Sequence, residues 1–146
     1  VGHVSGPVTG TRRRAREVAF RVAFQADVAG DSYAFAWSLR REEESLSDDQ
    51  LELIGDVVEA LEARGPEIDD RLRAAAENWP LHRLAATDRA VLRVAVAELL
   101  ARPGSPVRVV LDEAIEVARR YGSAESGTFV NGVLDRAARG LRPSEF

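Results

Sequence analysis

The segment from Ala90 to Leu100 limits the possible folds more than any other. Val91, Leu92, Val94, Ala95, Val96, Leu99 and Leu100 spread apolar groups around most of a helical circumference, with charge only at Arg93 and Glu98. A helix with one apolar stripe lies at a surface, whereas one apolar nearly all round has to be enclosed by others. The chain must therefore surround this segment with further helices, and the remaining sequence has the periodicity to supply them.

A first helix is predicted from about Thr11 to Ala29, with Ala15, Val18, Ala19, Val22 and Ala26 as its core stripe and Gly30-Asp31-Ser32 as its stop. A second holds Phe35, Trp37 and Leu39 and closes in the charged run Arg40 to Glu44. Ser47 and Gln50 have the spacing of a capping box for a third, whose inner positions are Leu51, Ile54, Val58 and Leu61. Gly65-Pro66 ends that helix and opens a fourth, with Ile68, Leu72, Ala75 and Ala76 facing inward, until Pro80 breaks it after Trp79. Past the central segment, Pro103-Gly104 is a stop and Pro106 a start. Val107, Val110, Leu111, Ala114, Val117, Ala118 and Tyr121 form the next stripe, ended by Gly122. Ser123 or Ser126 caps a last helix that buries Val130, Val133, Leu134, Ala137 and Leu141 and ends at Gly140 and Pro143. No period-2 strand pattern interrupts this series. The expected fold is all-α, a single bundle of about seven helices over residues 11–142, with a disordered tail at 1–10 and a short one at 143–146.

At 146 residues and 45% hydrophobic, the chain can bury the core of one domain. Cysteine is absent, so neither disulfides nor thiolate chemistry is available. No signal peptide and no membrane-length apolar run is visible, which fits a cytoplasmic protein. The net charge of −4 is unevenly placed. Arg12 to Arg21 carries five arginines against one glutamate, a net +4, whereas Arg40 to Glu77 carries five arginines against thirteen acids, a net −8. Every basic side chain is arginine.

Enzymatic chemistry finds no foothold. There is no phosphate-binding glycine loop, no zinc-binding histidine pair and no nucleophile elbow. His3 lies in the expected tail and His82 stands alone near Pro80. Glu42, Glu43, Glu44, Asp48 and Asp49 straddle a helix end without the spacing of a calcium loop, and read as a solvated acidic surface. Neither a catalytic site, a metal nor a cofactor is expected.

Two groupings point to binding. On the first helix, Arg13, Arg16, Phe20 and Phe24 fall on a stripe roughly opposite the Ala15–Val18–Val22 face. Guanidinium groups satisfy phosphates and aromatic faces stack on unpaired bases, the combination that single-stranded RNA requires. The same spacing also suits Phe20 and Phe24 packed beneath a neighbouring helix, with the arginines merely solvated. On the last helix, Phe129 lies beside its apolar stripe, with Gly132 and Arg136 on the same side. That makes either a flat platform for a base or a core-edge ring beside a glycine that lets helices approach.

Three stretches resemble the NusB family: Arg12-Arg13-Arg14-Ala15-Arg16-Glu17; Asp88-Arg89-Ala90-Val91-Leu92-Arg93-Val94-Ala95-Val96-Ala97-Glu98-Leu99; and Glu113-Ala114-Ile115-Glu116 with Tyr121-Gly122 and Phe129-Val130-Asn131-Gly132-Val133-Leu134-Asp135. Their order and spacing agree over about residues 11–142. The resemblance implies a helical RNA-binding protein of the RNA polymerase antitermination complex. It would bind the boxA element of ribosomal RNA operon transcripts together with the ribosomal protein NusE, with no role for DNA or membrane. It further implies RNA contacts at Arg12, Arg13, Arg14, Arg16, Phe24, Glu125, Ser126 and Phe129, and a NusE contact at Asp88. Three positions depart from the family pattern: Phe24 stands where Tyr is usual, Asp112 where Asn is usual, and Thr128 where Lys is frequent. Each change weakens the case for tight RNA binding and leaves the fold intact. Two other readings are an RNA-targeting module related to that of ribosomal RNA methyltransferases, and a protein-interaction scaffold that binds RNA weakly.

Overall fold

The computed structural model describes residues 8–146, with side chains from Arg12 onward. Seven α-helices occupy the described residues: α1 (Val8–Ala29), α2 (Tyr33–Glu43), α3 (Asp48–Ala63), α4 (Gly65–Ala75), α5 (Ala86–Ala101), α6 (Val107–Tyr121) and α7 (Ser126–Leu141). The first of them begins at Val8, within the segment expected to be a tail. Residues 1–7, the rest of that expected tail, lie outside the described residues. None of the helices is long and apolar enough to cross a membrane, among the described residues.

The predicted stops and starts are present with their local chemistry. Gly30 ends α1 at φ 75°, a left-handed conformation that a side chain disfavours. Two residues later the Ser32 hydroxyl accepts from the Phe35 N–H and starts α2. Ser47 and Gln50 form the full capping box of α3, each side chain bonded to the other's backbone N–H. Pro66 sits in the first turn of α4, where its missing N–H removes no helical bond.

The central segment is enclosed as its composition requires. Helix α5 packs against α1, α3, α4, α6 and α7, and Ala90 to Leu99 is buried except for Arg93. Helices α1, α2 and α3 group on one side of it, and α4, α6 and α7 on the other. Its partly exposed edge is fixed by ion pairs. Arg89 holds Asp27 of α1 at 2.6 Å, and Arg93 holds Asp69 of α4 at 2.9 Å. Arg89 also donates to the carbonyls of Leu81 and Leu84 at 2.9 Å, tying down the 3-10 turn Leu81–Arg83 that follows Pro80.

Residues 143–146, expected to be a tail, contain a second 3-10 turn, Pro143–Glu145. The preceding Arg142 donates to the carbonyls of Leu99, Arg102 and Ser105, the first of them an acceptor in the last turn of α5. Glu145 accepts from the Val107 N–H, the first of α6, and pairs with Arg142. These two bonds, that of the backbone first, hold the Glu145 carboxyl below the usual carboxylate range. A depressed folded-state pKa means a contribution present above the unfolded value and lost as pH falls through the folded one. Glu145→Gln should therefore melt lower than the parent at neutral pH, and the gap should close as pH falls below about 4, the unperturbed carboxylate value. Thermal melts of both proteins from pH 7 to 3 check this; a gap that persists at the acid end would contradict it.

Candidate nucleic-acid interface

The arginines at the start of α1 are each engaged by a carboxylate from another part of the chain. Arg12 lies 3.5 Å from Asp49 in the first turn of α3. Arg13 forms a forked pair with Glu113 of α6, its closer contact at 2.9 Å. Arg14 donates to Glu44, the residue that ends α2, at 2.7 Å. Arg12, Arg13 and Arg14 remain partly open to solvent. Glu113 raises the Arg13 pKa through its hydrogen bond and its charge, so that side chain is a permanent cation.

Arg16 behaves differently. It is only 7% exposed, and its guanidinium makes a two-pronged pair, 2.8 and 2.7 Å, with Glu98 of the central helix, itself 1% exposed. The Ser105 hydroxyl donates to the same carboxylate at 2.8 Å. Burial disfavours the Arg16 cation, but the hydrogen bond and charge of Glu98, with Glu113 adding, outweigh it and raise its pKa. The expected exposed stripe of Arg13, Arg16, Phe20 and Phe24 is thus only half exposed. Phe20 is 4% exposed, packed with Val91, Val94 and Ala95 of α5 and Val117 of α6. The reason is that α1 is covered from two directions: besides its Ala/Val face, the Arg16–Phe20 side meets α5 and α6.

Phe24 is half-buried, 6.1 Å from Phe20. Phe20 continues to Tyr121 at 5.0 Å. The Tyr121 hydroxyl accepts from Arg21 at 2.8 Å, and Arg21 and Arg120 both stand over its ring. Tyr121 was expected only as a core residue of α6. The signal that it borders a cationic surface is the Arg119-Arg120 pair just before it, in the last turn of that helix.

Tyr121 leads directly into the α6–α7 corner. A Cβ on Gly122 would come within 2.4 Å of the Ser126 hydroxyl and 2.7 Å of the Ala118 carbonyl, so only glycine fits. Ser126 does not cap α7 as expected, and neither does Ser123. Helix α7 begins after Glu125 without a side-chain cap, and the Ser126 hydroxyl turns back to accept from the Ser123 N–H at 2.9 Å. Ser126 is consequently 2% exposed, while Glu125 stands open. Thr128 and Asp112, two of the departures from the family pattern, are exposed.

Phe129 is half-buried and meets Trp79 edge to face, with centroids 6.3 Å apart at 81°. Trp79 is 57% exposed, an unusual position for the largest apolar side chain. Sequence reasoning treated it only as the neighbour of a helix-breaking proline. Its signal was a tryptophan placed in a loop between two helices. Trp79, Arg83, Asp88, Glu125, Ser126 and Phe129 line one groove. The expected partner contact and the expected contacts on α7 therefore share a surface. The Oδ1 atom of Asp88 is buried there without a hydrogen-bond donor. Arg136 is anchored away from it, donating to the Ala75 carbonyl at the end of α4 at 2.6 Å.

Residues 13–139, which contain all of this apart from Arg12, match the model of the NusB family. The chain belongs to the NusB family. The transcription antitermination protein NusB of Anaeromyxobacter dehalogenans is 42% identical over 138 residues, covering 94% of this chain and 96% of that one. The fold is similar to that of T. maritima NusB, with a TM-score of 0.84 at 34% identity over 97% of each chain. It is also similar to a chain from the crystal structure of the antitermination factors NusB and NusE in complex with dsRNA. There the TM-score is 0.81 at 25% identity, over 90% of this chain and 98% of that one.

Within this NusB-family fold, Arg16 is held in a buried ion pair with Glu98. Arg16→Ala leaves Glu98 buried without a counter-charge and should cost about 3–5 kcal/mol, whereas Arg16→Met with Glu98→Met should recover most of that loss. Urea unfolding of the three proteins measures it. Equal destabilisation in the single and double variants would contradict the role assigned to the pair.

Proposed function

We propose that this chain is a transcription antitermination factor that holds boxA-type single-stranded RNA of ribosomal RNA operons together with the ribosomal protein NusE, within the RNA polymerase antitermination complex in the cytoplasm. It acts by binding and needs no catalytic step. The observation that carries this reading is a pair of surface groupings on the two sides of the α6–α7 corner, the first of arginines with aromatic rings and the second an aromatic pair in a groove. One runs from Arg12–Arg14 past Phe24 to Tyr121; the other is Phe129 with Trp79. Membership of the NusB family supports it, as does the likeness to a solved assembly of NusB, NusE and RNA.

In this reading Arg12, Arg13 and Arg14 meet phosphates, and Phe24 and Phe129 stack on bases. Both rings are only half-buried, and bases that stack on them must be unpaired to have a free face. Glu125 borders the RNA on the groove side. Arg16 and Ser126 serve from within: Arg16 fixes α1 through Glu98, and Ser126 holds the corner that presents Phe129. Asp88, on the groove it shares with Phe129, meets NusE.

The test is a titration of boxA RNA at several salt concentrations, with and without NusE. Three arginine contacts give a slope of log affinity on log salt no steeper than roughly −2, at about −0.7 per phosphate. NusE should tighten binding, and Arg13→Glu with Arg14→Glu should weaken it strongly while circular dichroism stays helical. Trp79→Ala and Phe129→Ala should each lose roughly 1–3 kcal/mol of binding, nearly independent of salt. Asp88→Lys should reduce NusE capture while leaving RNA binding by the protein alone in place. A steep slope without NusE, or no gain on adding it, would overturn the reading.

A further inference from the structure

We propose that Glu44, Asp49 and Glu113 are built-in competitors for phosphate, which hold the arginine face of α1 in a charge-neutralised state until RNA displaces them. The inference rests on the RNA reading above and adds a control that the reading does not contain.

Arg12, Arg13 and Arg14 are consecutive, so on a helix they point about 100° apart and fan across some 200° of its surface. No single neighbouring helix can pair with all three. Yet each has an acid, and the three acids come from three elements: Asp49 from α3, Glu113 from α6 and Glu44 from the end of α2. These are long-range pairs, separated by 30 to 100 residues where the hydrogen bonds of Arg14 and Arg13 are concerned, and not the local i,i+4 pairs that any charged helix shows. Three cations thus each have an anion at the place where the chain is most basic in sequence, although Glu44 is shared with Arg40 and Glu113 with Arg16, and the Arg12 contact is the longest of the three.

The physical consequence concerns ions as well as energy. An arginine that binds a phosphate releases a counterion from the RNA, and this release drives sequence-independent binding. Here the arginine must first leave its carboxylate, which then gathers a cation of its own. Release and uptake partly cancel. Affinity for any strand through phosphates alone falls, and so does its dependence on salt. Stacking on Phe24, Phe129 and Trp79 needs no ion pair to be broken and is untouched.

Glu44→Gln with Asp49→Asn removes two competitors while leaving Arg12, Arg13, Arg14 and the Ser47–Gln50 capping box in place. Glu42→Gln with Glu43→Gln is the control. It makes the same change in net charge at exposed acids that pair with no arginine among the described residues. Both variants and the parent are titrated with boxA RNA and with a scrambled RNA of equal length. The paired-acid variant should bind both RNAs tighter by roughly two- to thirty-fold, the range expected from releasing two exposed ion pairs. Its log–log salt slope should be steeper by up to about 1.4, two phosphates' worth. The control should shift far less. If the parent binds RNA and the paired-acid variant gains no more than the control, the competitor role is overturned and the RNA reading stands. If neither the parent nor any variant binds, with or without NusE, the RNA reading falls and takes this inference with it.

Discussion

The pairing of Arg16 with Glu98 is the contact on which the arrangement of this protein turns. A carboxylate on the most enclosed helix of a bundle is costly unless a cation reaches it with matching geometry. Arg16 does so with two parallel bonds, and Ser105 supplies a third donor. Because a guanidinium fork is directional, the pair fixes both the rotation and the height of α1 against α5. The positions around it follow. One turn earlier, Arg12 and Arg13 face α3 and α6; one turn later, Phe20 enters the α5–α6 cleft; two turns later, Phe24 emerges beside it.

The second half of the candidate site depends on a steric constraint. At Gly122 the absence of a Cβ lets Ser126 close on the end of α6, which sets where α7 starts and so where Phe129 stands. Trp79 reaches that ring from a loop whose path is set by Pro80 and by the grip of Arg89 on Leu81 and Leu84. Both halves are thus positioned by contacts between elements far apart in sequence.

Much of this was legible in the sequence, for local reasons. Helix number, the capping box at Ser47, the stop at Gly30 and the enclosed α5 each depend on residues a few positions apart. The exposure of the candidate site residues was legible in part. A helical wheel assigns one buried face, so it placed Arg16 and Phe20 outside; α1 has two buried faces because two layers of neighbours cover it. Ser126 was read as a cap and an RNA contact, and its hydroxyl is spent inside the corner. Trp79 carried no periodic signal, since it belongs to a loop. The partners of Arg12, Arg13 and Arg14 were beyond reach, because each lies on a different element and only the tertiary fold brings them together.

Helix α2 adds a dynamic side to this picture. It places only Ala36 and Trp37 in the core, and leaves Phe35 and Leu39 in solvent. Elements with so little buried surface lie at the low end of the local unfolding scale, well below the global stability of a bundle. Helix α5, packed against five other helices, lies at the other. The end of α2 is where Glu44 meets Arg14. Were this helix to open, that carboxylate would go with it and Arg14 would lose its counter-charge, which ties the charge presented by α1 to a helix of which no residue is assigned a contact with RNA.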